Sequence, residues 1–76
     1  MSDTTTIALM ITVEPPANNL KAVIAKVEQE CGVSISEDVI KKSRVLILSG
    51  PSSKISRAKK TLQKAFVEVG GMLQLR

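Results

Sequence analysis

Lys41, Lys42, Arg44, Lys54, Arg57, Lys59, Lys60 and Lys64 follow one another along the chain with no acidic residue among them. The chemistry that such a set offers is neutralisation of a phosphate backbone. That attraction falls steeply with salt and specifies no sequence by itself. A surface helix is ordinarily charged on its solvent side, so basic residues alone make no site; the unbroken sign is the added signal. Base recognition by stacking is disfavoured, because the chain has one Phe and no Trp or Tyr.

No catalytic constellation accompanies the cations. The chain has no histidine. Glu37-Asp38 is the one adjacent acidic pair, lacks metal-ligand company and reads as a solvated loop or strand end. Cys31 is alone, which excludes a disulfide framework or a cysteine-rich metal site. It is expected to be a small buried hydrophobe at a helix end, and a lone thiol fits a reducing cytoplasmic compartment. Gly70-Gly71 is no phosphate loop, since no Lys-Ser or Lys-Thr follows. The expectation is a non-enzymatic protein without metal or cofactor.

The elements that must carry these residues are legible in the hydrophobic pattern. Seventy-six residues with a net charge of +4 make one small domain, burying about 60–65% of its unfolded surface. No run approaches the ~20 apolar residues of a membrane span. Met1-Ser2-Asp3-Thr4-Thr5-Thr6 lacks the basic start of a signal peptide. Residues 1–6 are expected to be a disordered lead-in to a single binding domain over residues 7–76.

Ile7, Leu9, Ile11 and Val13 alternate with Ala8, Met10 and Thr12, which predicts a strand stopped by Glu14-Pro15-Pro16. Asn18 or Asn19 is placed to cap a helix whose apolar stripe is Leu20, Val23, Ile24, Val27 and Cys31. Gly32 sits just past its end. Val33 to Ser36 predicts a second strand, Lys41-Lys42-Ser43 a polar turn, and Arg44 to Ser49 a third strand. A second helix starts at about Pro51 to Ser53, with Ile55, Ala58, Leu62, Ala65, Phe66 and Val69 as its stripe. Gly70-Gly71 ends it, and Met72 to Leu75 can form a short last strand. The order β-α-β-β-α-β predicts an α+β fold: a ferredoxin-like two-layer sandwich, an antiparallel sheet with two helices on one face.

Such a sandwich leaves one sheet face without helices. With Ile7, Leu9, Ile11, Val13, Val45, Ile47, Leu73 and Leu75 assigned to the covered face, the open face shows Ala8, Met10, Thr12, Leu46, Leu48, Met72 and Gln74. Met10, Thr12, Leu46, Leu48 and Met72 are then the candidate interface, because contiguous exposed apolar surface usually marks a docking site.

Two resemblances follow from these residues. Val45-Leu46-Ile47-Leu48-Ser49-Gly50 with Ile55, Ala58 and Leu62, and Val27 to Ile35 ahead of them, resemble a KH domain. That resemblance implies binding of single-stranded RNA or DNA in a degenerate manner, since Asn18-Asn19-Leu20-Lys21 stand where the family has its Gly-x-x-Gly backbone clamp. Val13-Glu14-Pro15-Pro16-Ala17-Asn18-Asn19-Leu20-Lys21-Ala22-Val23, with Gly32-Val33-Ser34-Ile35, is similar to an ACT domain. That one implies a regulatory module that dimerises and holds a small ligand near Asn18 and Asn19. The leading expectation from sequence is nucleic-acid binding by the eight cations. The alternative is an ACT-like regulatory or assembly module that meets a protein partner or a second copy through its sheet. No membrane partner is expected.

Overall fold

Each element buries the side that its residue pattern marks as apolar. The computed structural model describes residues 3–75. They form β1 (Thr4–Val13), α1 (Ala17–Cys31), β2 (Ser34–Ile40), β3 (Ser43–Pro51), α2 (Ser52–Glu68) and β4 (Met72–Leu75). The order is the expected β-α-β-β-α-β, and the strands make one antiparallel sheet in the order β2-β3-β1-β4. β1 and β2 both run antiparallel to β3, and β3 and β4 both run antiparallel to β1. Each helix therefore links two parallel strands across a third. Both helices share one core with one sheet face: Leu20, Val23 and Val27 of α1, Leu62 and Phe66 of α2, and Leu9 of β1.

The helix ends are set by proline and glycine. α1 begins at Ala17, ahead of both asparagines, with Pro16 as its N-cap and no side-chain cap. Pro16 already holds φ at −54°, and its carbonyl accepts the first helical bond from the Leu20 N–H at 2.9 Å. Asn18 and Asn19 thus sit inside the first turn rather than at the cap. The expected glycine stop is present: Gly32 is left-handed at φ 66°, its N–H bonded to the Glu28 carbonyl at 2.9 Å.

The lead-in is shorter than expected. Thr4, Thr5 and Thr6 belong to β1 and pair with Pro51, Gly50 and Ser49. Asp3 also reaches the start of α2, where its carbonyl accepts from the Ser52 N–H at 3.1 Å and its carboxylate from the Ser52 hydroxyl. β-branched Thr suits an extended chain, and the first turn of α2 offers donors that an acid satisfies well. Met1 and Ser2 lie outside the described residues. β2 is longer than expected and takes in Glu37 and Asp38.

The largest departure concerns the faces of β3. Cross-strand partners share a face. Ile7 pairs with Leu48, Leu9 with Leu46, and Ile11 with Leu73. Leu46 and Leu48 therefore point at the helices and are fully buried. They are not part of an open interface. Val45 and Ile47 take the open face instead. Both parities of β3 are apolar, so alternation cannot choose between them, and a one-residue slip exchanges every side chain between faces.

Candidate functional site

The open face is built as rows of cross-strand partners. Ser34, Ser49 and Thr6 form one row; Ser36, Ile47 and Ala8 the next; Asp38, Val45, Met10 and Gln74 the third. Ala8, Met10 and Ile47 are half-buried. Val45 is buried yet stands outside the helix-side core. Hydroxyls surround this apolar centre. Thr6 and Ser49 share a hydrogen bond of 3.3 Å, and the Thr12 hydroxyl donates to the Met72 carbonyl at 3.3 Å. Thr12 and Met72 mark the end of the face, beside an irregularity in β1 between Ile11 and Val13. Of the five expected interface residues, Met10, Thr12 and Met72 lie here. Leu46 and Leu48 do not.

Val45 and Ile47 are the open-face residues that the strand-three assignment missed. A signal for them exists in β2. Ile35 is flanked by Ser34 and Ser36, so only the Ile35 side of that stretch is apolar. The two-residue turn pairs Ile35 with Leu48, which would have placed Leu46 and Leu48 inside.

The eight cations do not form one surface. Lys41 and Lys42 make the β2–β3 turn, both at positive φ, 51° and 69°. α2 starts beyond the other end of β3. Arg44 is engaged by two carboxylates, those of Glu14 and Glu37, the latter at 2.5 Å. Lys54 lies over the end of α1, its Nζ 3.2 Å from where a Cβ on Gly32 would stand; a cation there favours the negative end of the helix dipole. Lys59 is half-buried, whereas Arg57, Lys60 and Lys64 are exposed along the outer side of α2. Lys64 also lines a cleft of about 240 Å³ between the helices, together with Lys26, Glu30 and Glu68. Acids outside the run, Glu14 and Glu37, thus neutralise Arg44 within it. Asn18 and Asn19 are exposed on the first turn of α1. That turn follows the Pro15 loop, which presses on Gly71 at the start of β4.

The stretch between β1 and β2 holds one helix. A clamp of the KH type needs a loop between two helices, so residues 18–21, inside α1, cannot supply it. The KH resemblance is not supported.

Among the described residues no helix is long and apolar enough to cross a membrane, and no cluster of potential metal ligands occurs. No family model matches the chain, and no curated protein does. Among solved structures, it is similar to the regulatory subunit of aspartate kinase from Thermus thermophilus in its ligand-free form. The identity is 18% and the TM-score 0.61, over 100% of this chain and 52% of that one. It is also similar to a C-terminal segment of the alpha subunit of aIF2 from Pyrococcus abyssi. There the identity is 13% and the TM-score 0.60, over 95% of this chain and 49% of that one. The chain thus spans about half the length of each. These likenesses show the fold alone, a ferredoxin-like α+β sandwich.

Proposed function

We propose that this chain is a non-enzymatic, ACT-like regulatory or assembly module that joins a second copy of itself through the open face of its sheet. The observation that carries the reading is the sheet face without helices, where half-buried Ala8, Met10 and Ile47 surround buried Val45, ringed by Thr6, Thr12, Ser34, Ser36 and Ser49. An apolar centre with a polar rim is the anatomy of a protein interface. A stable interface takes about 800 Å² from each partner, which is most of the 38 × 27 Å broad side of the molecule. Likeness to an aspartate kinase regulatory subunit supports the regulatory part of the reading. In that part, Asn18 and Asn19 offer amide groups to a small ligand. The cations, dispersed and partly paired, give less support to a phosphate-binding surface.

The test is the solution mass of the wild type against Met10→Glu and Ile47→Glu, by sedimentation or light scattering over a range of concentrations. The expected outcome is a dimeric wild type and monomeric variants with unchanged far-UV circular dichroism. A wild type that stays monomeric throughout would remove the reading, as would variants that keep the dimeric mass.

A further inference from the structure

Among the described residues, the outer edge of β2 has no strand beside it. In an antiparallel strand, alternate residues turn their N–H and C=O groups to opposite sides. Ile35, Glu37 and Val39 share one parity and direct theirs away from β3. Two of these donors are already taken. The Ile35 N–H donates to Glu28 Oε2, reaching over from α1, at 3.0 Å. The Val39 N–H donates to Asp38 Oδ1 at 2.8 Å. Among the described residues, no side chain accepts from the Glu37 N–H.

An unpaired edge of this kind is a template for another strand; its apolar residues complement those of a second copy, and the two Glu37 carboxylates that would meet at the centre are each paired with Arg44 of their own chain. Two copies of β2 laid antiparallel with Glu37 at the centre would set Ile35 of one against Val39 of the other. Val39 is 62% exposed, so an apolar pair would form on each side of the centre. The backbone bonds of those pairs need the same N–H groups that the carboxylates now hold. β4, the opposite edge, has four residues and is the poorer template. Hydrogen bonds to an ionised carboxylate are stronger than the neutral ones that would replace them. The displaced carboxylates would also stand against incoming carbonyl oxygens.

We propose that Glu28 and Asp38 lock the edge of β2 and so prevent the β2 strand of a second copy from adding to it. The lock goes beyond the open-face reading and does not depend on it.

The test is made in a Met10→Glu background, where association through the open face is silenced. Glu28→Ala and Asp38→Ala are introduced together, and two quantities are read: amide hydrogen exchange at Ile35 and Val39, and mass against concentration. Exchange at both amides is expected to quicken by at least about tenfold, the effect of losing one hydrogen bond to a charged group. The mass is expected to double as concentration rises. Adding Glu37→Pro should return the protein to a monomer, because proline removes the central outward donor and leaves the ladder to β3 intact. The proposal is overturned by unchanged exchange, by a mass that stays monomeric after both carboxylates are gone, or by association that survives Glu37→Pro. Should the double variant fail to fold, the single variants read the same exchange one amide at a time. Failure of the open-face reading shows separately, in the comparison of wild type with Met10→Glu.

Discussion

Single residues here often act through backbone position rather than side-chain chemistry. Gly71 is the sharpest case. A Cβ there would meet Phe66 Cδ2 at 2.7 Å, Pro15 Cδ at 2.9 Å and the Val13 carbonyl oxygen at 3.0 Å. The α2–β4 turn can press on the β1–α1 loop only because that atom is missing. Gly71→Ala is therefore expected to destabilise the fold by about 1–3 kcal/mol, as overpacking does, which lowers Tm by roughly 4–8 °C for each kcal/mol. Thermal denaturation checks this, and an unchanged Tm would contradict the close approach. Lys54 and Arg44 make the same point for charge. Each is a cation in the sequence, yet one sits over a helix end and the other lies between Glu14 and Glu37. Exposed ion pairs such as those of Arg44 contribute about 0–1 kcal/mol, so their main effect is to reduce the charge available to a partner.

At the scale of the element, β3 decides what the sheet presents. Its Leu46 and Leu48 are fully buried under the helices, while Ile47 is half-buried on the other side. Leu46→Ser is expected to cost about 2–5 kcal/mol, in the range of large core truncations. That is a large part of the 5–15 kcal/mol by which domains of this kind are stable, to order of magnitude. Ile47→Ser should cost well under half as much. Urea denaturation of the two variants separates them. The reverse ranking would restore Leu46 to the open face. β2 contributes in a different way, since its outward donors meet carboxylates from its own chain. On the two proposals above, self-association would be directed from the edge to the face.

For the whole molecule, the placement of charge argues against a nucleic-acid surface. Lys41 and Lys42 at the hairpin turn and Lys54 at the start of α2 lie toward opposite ends of β3, in a body 38 Å long. Labelled single-stranded RNA and DNA are expected to show no change in anisotropy with this protein at physiological salt. Micromolar binding that is lost on charge reversal of Arg57, Lys60 and Lys64 would reinstate the cationic reading. The order of elements, the helix stop at Gly32, the span of β4 and the apolar stripes were legible in the sequence. Each depends on residues close together in the chain: a period of 2 or 3.6, a proline before a helix, a glycine after one. The tertiary structure settled which side of β3 faces the helices, because Val45, Leu46, Ile47 and Leu48 by themselves satisfy either register, and pairing with Ile7, Leu9 and Ile35 selects one. It likewise brought Glu14 and Glu37 to Arg44, and Asp3 to Ser52. Glu28 reached the edge of β2 in the same way. These contacts arise where the chain folds back on itself, and no local period records them.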